Sequence, residues 1–242
     1  GNVVQGDLGP SMQISDKSVS ELLGEGLPVS LTIGGLAITL GLFFGVMLGV
    51  IAAMRQNSAA DYSAMSIAMI GISIPTFVTG PLLSLVFGVW LHWFAAGGLD
   101  LGRMNFQNIF LPIVTLALPQ IAIISRLMRA SMIEVLRSNS IRTARAKGLS
   151  EFRIMTRHAL PAAILPVVSY LGPAIVGVIT GSVVIESVFG LPGVGSSFIE
   201  GAVTRDYTRV MGAVILYGGL IIVLNLIADI LYAMLDPKVR FE

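Results

Sequence analysis

Five long stretches of this chain contain no Asp, Glu, Lys or Arg: Pro28 to Met54, Tyr62 to Leu99, Met104 to Ser125, Ala159 to Ile185 and Val210 to Ala228. A bilayer core of ~30 Å takes roughly 20 apolar residues to cross as a helix. A helix is the form required, because a backbone amide in hydrocarbon must be satisfied within its own segment. The 242 residues are 55% hydrophobic and 12% charged, with a mean hydropathy of +0.86, a balance no globular domain keeps in water. The chain therefore reads as an all-α, polytopic integral membrane protein. Five spans are expected, near 28–53, 65–91, 110–131, 161–184 and 210–233. A sixth is expected to precede them, since the chain opens at Gly1 on polar, turn-forming residues with no signal pattern. Val19, Leu22 and Leu23 predict a short amphipathic helix at the membrane surface.

Orientation follows from cationic residues between the spans. Segments 54–64, 126–160 and 234–242 carry eleven Lys and Arg, against four in 1–27, 92–109 and 184–209. The positive-inside bias places the first set in the cytoplasm. Residues 1–27 are then an extracytoplasmic segment, 28–235 the transmembrane domain and 236–242 a cytoplasmic tail. Trp90 and Trp93, with His92, are expected at the external interface as an aromatic belt.

Within the spans, Gly41, Gly45 and Gly49 recur every fourth residue, as do Gly177 and Gly181, which reads as helix-packing seams. Prolines 75, 81, 112, 119, 166 and 173 each free a backbone carbonyl and permit a kink. Ionisable groups are confined to the span ends, whereas an ion-coupled carrier keeps them at mid-membrane depth. That leaves a passive pore or a path driven from outside this chain. Ser73, Thr76, Thr79, Ser84, Ser169, Tyr170, Thr180, Ser182 and Asn225 offer uncharged hydrogen-bonding groups for such a path or for neighbouring helices. Asn225 and Asp229 share one face of the last helix, for a neighbouring subunit or for capping.

One stretch is built differently. From Arg142 to Pro161 the chain is basic and helix-prone up to Lys147, breaks at Gly148 and restarts at Ser150 and Glu151. Positive charge at the first helix end and a glycine able to turn left-handed mark the stop. Ser150 as N-cap and Glu151 in the first turn mark the restart. Two helices joined at one glycine form an elbow, expected over about 134–160. A basic loop tethered to anionic lipid is the plainer reading. It requires neither the glycine nor Leu149, Phe152, Ile154 and Met155 among the charges, and those apolar side chains imply a groove on a partner. Nucleic acid is excluded by a short loop pinned between spans.

Catalytic signatures are missing: no His-Glu-x-x-His, no Gly-x-Ser-x-Gly and no nucleotide-binding Gly-x-x-x-x-Gly-Lys-Ser/Thr. The chain has no cysteine, hence no disulfide or thiolate chemistry, and no cofactor is implied. Gly190-Leu191-Pro192-Gly193-Val194-Gly195 reads as a turn rather than a phosphate cradle. An ATP-driven path would need its ATPase on another polypeptide. The alternatives from other classes are a secondary carrier or channel for small polar solutes and an intramembrane enzyme.

Ala144, Gly148 and Pro161 resemble the "EAA" loop of permease subunits of binding-protein-dependent ABC importers. Arg142 and Thr143 stand where that loop has its Glu and first Ala, and Arg142-Thr143-Ala144-Arg145-Ala146-Lys147-Gly148 is the form found in the peptide and nickel branch. Similarity to the B-type permease subunits of oligopeptide importers extends to Gly6 to Ser11, Gln56-Asn57, Asp61-Tyr62, Ser131 to Leu136, Gly181 to Glu186, Gly190 to Gly195, Arg205-Asp206-Tyr207 and Asp236 to Arg240. The resemblance implies a type I ABC importer transmembrane domain in the bacterial inner membrane, with no ATPase activity of its own. Implied partners are a second permease subunit forming a heterodimer, two ATP-binding subunits and an extracytoplasmic solute-binding protein that delivers peptide. Arg142 to Leu149, Phe152 and Pro161 would form the ATPase-coupling loop. Glu186, Gly190, Pro192, Gly193, Gly195, Arg205 and Asp206 would form an extracytoplasmic loop within reach of the binding protein.

Overall fold

The computed structural model describes residues 7–14, 16–99 and 104–235, and the regular structure among them is helical apart from an isolated bridge between Pro10 and Ser18. In chain order the helices are α1 (Val19–Met54), α2 (Ala59–Ser73), α3 (Thr76–Leu83, continued by π turns over Ser84–Trp90) and α4 (Phe106–Leu136). Then come α5 (Asn139–Ala146), α6 (Glu151–Ile154, running through π turns over Met155–Ala159), α7 (Leu160–Ala163) and α8 (Leu165–Ser169). The last three are α9 (Leu171–Val188), α10 (Val194–Thr204) and α11 (Tyr207–Leu235). Four helices, α1, α4, α9 and α11, are long and apolar enough to span a membrane, and α2 with α3 forms a fifth candidate as a broken pair. The tail 236–242 and residues 1–6 of the opening segment lie outside the described residues.

Three of the expected spans differ in detail. The first starts at Val19, so Val19, Leu22 and Leu23 are the opening turns of one long helix and not a separate surface helix. At 36 residues α1 is ~54 Å long, well beyond the bilayer core. The second breaks at Ile74-Pro75, where proline forces its predecessor out of the helical region. The fourth is no single helix from 161. It is interrupted at Ile164 and Tyr170, and only α9 is an unbroken span. Pro166 and Pro173 lie just downstream of those interruptions, where a proline ring strikes the carbonyl four residues back. By contrast α4 runs through Pro112 and Pro119, and α1 through Pro28.

The chain forms two compact units. The first takes the stretches up to Ile38, Ile74–Leu116 and Ile175–Val223; the second takes Thr39–Ser73, Ala117–Ala174 and the residues from Leu224 on. In the first unit Val19, Leu23, Val194 and Ala213 form a core flanked by Leu8, Leu27, Phe198, Leu216 and Tyr217. In the second, Ile124, Met128 and Met132 of α4 meet Ala53 of α1 and Ile141, Ala144, Ile154 and Ala159 of the elbow.

The glycine seam of α1 packs inside the second unit. A Cβ at Gly41 would lie 2.7 Å from Gln120 Cβ, at Gly45 2.7 Å from Ile124 Cβ and at Gly49 2.6 Å from Met128 Cβ. The four-residue repeat thus lets α1 and α4 approach backbone to backbone. Gly71 of α2 lies equally tight on Leu118 of α4, while Gly177 is exposed.

Candidate functional site

The elbow belongs wholly to the second unit. Helix α5 is capped by Lys147, Gly148 takes φ +75°, and the amides of Gly148 and Leu149 return to the carbonyls of Arg145 (2.9 Å) and Ala144 (3.3 Å). This satisfies the last carbonyls of α5 in the left-handed geometry that glycine permits. Ser150 occupies the N-cap position of α6 in an extended conformation, but its hydroxyl makes no capping bond. The restart is held instead by a bidentate ion pair across the turn: Arg145 Nε donates to Glu151 Oε1 (2.7 Å) and Nη2 to Oε2 (3.1 Å). Hydrogen bonding to Arg145 holds the exposed Glu151 carboxyl below its ordinary range and raises the Arg145 guanidinium.

The elbow has two faces. Ile141, Ala144, Ile154 and Ala159 are buried in the unit's own core, with Leu149 and Met155 packed half-buried against it. Ala144 and Leu149 of the expected coupling loop, with Ile154 and Met155, are therefore taken up internally. Arg142, Thr143, Ala146, Lys147 and Pro161 are exposed, and Phe152 is 79% exposed. Beside Phe152 lies a recess of about 570 Å³ lined by Met54, Leu136, Arg145, Glu151, Met155 and Thr156.

The glycine-rich corner belongs to the first unit. Gly190 takes φ +62° and ends α9, Pro192 is exposed, and α10 starts at Val194. Glu186, expected in a loop within reach of the binding protein, is fully buried: its Oε2 accepts the amides of Gly195 (2.8 Å) and Ser196 (3.3 Å), while the Val194 amide donates to Ser30 Oγ (2.9 Å). Asp206 is also buried, and accepts the Ser11 hydroxyl and the Arg209 amide. Burial pushes the Asp206 carboxyl up, but those bonds and the amides of Met12 and Gln13 leave it below its ordinary value. Arg205 is exposed at φ +60°, closing α10. Of the charged residues expected to meet a partner here, only Arg205 remains available.

Residues 45–241 match the family described as binding-protein-dependent transport system inner membrane component. The chain belongs to that family. It is a multi-pass protein of the bacterial inner membrane and a component of a binding-protein-dependent ABC importer. It is 50% identical over 240 residues to the oligopeptide transport system permease protein OppB of Haemophilus influenzae, covering 99% of this chain and 78% of that one. Identity to OppB of Escherichia coli K12 is 52% with the same coverage. Identity to the dipeptide transport system permease protein DppB of Bacillus subtilis is 42%, covering 100% of this chain and 77% of the relative. The fold is that of the membrane chain of the MetNI methionine ABC transporter in an inward-facing form, with a TM-score of 0.74 at 18% identity over 89% of this chain and 97% of that one.

The family member holds one further structural site that the sequence did not disclose. Asp61 of α2 is buried and receives both Arg129 Nε and Nη2 of α4 at 2.6 Å. Its Oδ2 also accepts the amide of Asn57, itself at φ +60°. Arg137 adds a bond to Gln56 at 2.9 Å. The 55–58 turn is thus pinned to the end of α4 that leads into the elbow. Asp61 and Arg129 are 68 positions apart, and nothing in the sequence around either marks the pairing. Other expected path residues are bonded within the chain: Ser169 to Leu165 O, Thr180 to Val176 O, Ser182 to Ile179 O and Tyr170 to Gln120.

Proposed function

We propose that this inner membrane component is a permease subunit for oligopeptides and that the elbow is where a separate ATP-binding subunit docks. The two-faced elbow carries this reading. Its inner face is fixed to the α1 and α4 ends through Ala53, Met128 and Met132, so a push on the exposed face reaches the spans as displacement rather than as local flexing. Its outer face offers a large aromatic, Phe152, above an apolar recess and among cations, the composition of a protein interface anchor rather than of a lipid tether. The charge bias supports placing this face in the cytoplasm.

On the same reading, this subunit pairs with a second, similar permease subunit, two ATP-binding subunits dock beneath the pair, and a solute-binding protein delivers peptide from outside. The oligopeptide assignment rests on the relatives' activity. On this reading substrate selection lies with the binding protein, since the spans offer hydroxyls and amides rather than charges. ATP hydrolysis lies with the partner subunits.

A photo-crosslinking residue placed at Phe152 in the assembled complex tests the docking. It should capture an ATP-binding subunit, whereas the same residue at Ile154 should not. Capture of lipid alone at position 152 would return the elbow to the tether reading.

A further inference from the structure

Glu186 lies in the last turn of α9, and among the described residues no Lys, Arg or His is bonded to its buried carboxylate. The elements packed around it supply neutral groups: Ser30 from α1, Ser182 from α9 itself and Tyr217 from α11. Arg209 of α11 is turned to Ser197 (3.0 Å) and Glu200 (2.8 Å). What faces the carboxylate is the N-terminus of α10, where the Val194, Gly195 and Ser196 amides are taken by side chains of other helices. Such an end carries roughly half a positive charge. The two glycines make the approach possible: a Cβ at Gly193 would overlap Glu186 Oε2, and one at Gly195 would overlap Val183 Cα. Among the described residues, the second carboxylate oxygen, Oε1, and the Tyr217 hydroxyl are buried without a hydrogen-bond partner.

We propose that Glu186 is a positioning residue whose carboxylate is the built-in ligand of a carboxylate receptor at the N-terminus of α10, clasping α9 to α10 and setting the Gly190–Gly195 corner for transport. An arginine partner would keep its charge whatever α10 did. A helix end offers its positive field only while the helix is folded and seated, so the anion and α10 hold one another in place. A buried carboxylate that lost this partner would find no other counter-charge among the described residues, which makes the clasp cooperative. Whether the elbow docks an ATP-binding subunit has no bearing on the clasp.

The test uses the reconstituted complex with wild type, Glu186→Gln and Glu186→Ala, and formate or formamide as probes. Deuterium exchange over Val194–Thr204 should rise about tenfold in Glu186→Ala, the scale of losing charge-assisted bonds, with exchange over Asn139–Ala146 unchanged. Peptide uptake should fall by about the same factor in kcat with little change in KM. Formate should restore part of both, and formamide, of like size but uncharged, should not. Glu186→Gln, which keeps the shape without the charge, should fall between. Unchanged α10 exchange in Glu186→Ala, or a formate effect no greater than that of formamide, would reduce Glu186 to a packing residue. Should Glu186→Ala not assemble, wild-type protection of α10 in Glu186→Gln would equally overturn the proposal, and intermediate protection would uphold it.

Discussion

Gly148 offers a perturbation whose internal cost can be worked out. Its φ of +75° disfavours any L side chain, yet nothing lies within 4 Å of the position a Cβ would take. Alanine therefore meets the left-handed backbone penalty alone, about 1–2 kcal/mol, with no clash inside the chain. That is a factor of about 5–30 in the population of the bent hinge. Asparagine tolerates this conformation and should cost less; valine, β-branched, should cost more. Peptide-stimulated ATP hydrolysis and uptake by the reconstituted complex, at matched subunit content, should then rank glycine, asparagine, alanine, valine. A loss in Gly148→Val far beyond its loss of thermal stability would place a partner surface against the open side of the turn. The charge control is Arg142→Gln with Lys147→Gln, leaving Arg145 in place because Arg145 bridges the turn to Glu151. If alanine and valine couple like wild type while the charge-removed pair does not, the hinge argument fails and electrostatic tethering replaces it.

Asp61→Ala should destabilise the second unit by about 2 kcal/mol, below the range for a fully buried pair because Arg129 is 27% exposed, and adding Arg129→Met should recover most of it in detergent melts. Recovery absent in the double variant would mean that Asp61 acts through the Asn57 turn rather than through Arg129. At Asp206 the folded carboxyl lies below its unfolded value of ~3.9, so its contribution is full above that value and is lost as pH falls through the lower folded one. Melting of wild type and Asp206→Asn should accordingly differ by a constant amount from pH 7 to pH 5 and converge only in stronger acid. Single cysteines at the exposed Ser140 and Ala202 should be labelled by a membrane-impermeant thiol reagent at 202 and not at 140 in intact cells, and the opposite pattern would invert the topology.

The spans were legible because a bilayer imposes its constraint along the chain: a charge-free stretch of sufficient length needs no knowledge of its neighbours. Breaks inside the spans were less legible. Six prolines looked alike in sequence, but Pro75 stops a helix while Pro112 and Pro119 lie within one that continues. Helix α10 went unforeseen because its start, Gly193-Val194-Gly195, reads as turn; those glycines serve the close approach of Glu186 and not chain reversal alone. At the elbow the local chemistry of Gly148 was sufficient to place the bend. The facing of its apolar residues was not read correctly, since Ile154 and Ala159 turn inward with Ile141 and Ala144, whereas Phe152, two residues from Ile154, turns out.

The buried charges bear on how transport is driven. Among the described residues the buried ionisable groups are Asp61, Glu186, Asp206 and Arg209, and each already has a ligand from this chain: Arg129, the amides of α10, Ser11 with backbone amides, and Glu200 with Ser197. A carrier driven by an ion gradient needs a buried acid that exchanges its ligand with the driving ion in every cycle. Asp61 and Asp206 are poorly suited to that, because releasing Arg129 or the Ser11 strap would strand a charge and unpin a turn. Glu186 comes nearest, with one free oxygen, yet its other oxygen is committed to a helix end that glycines 193 and 195 hold against it. Charge in this subunit therefore braces helices. On the proposed function, the energy for movement enters as mechanical work through a surface that is exposed and rigidly backed at once, and the face of the elbow around Phe152, backed by the core of the second unit, is the one offered for that role.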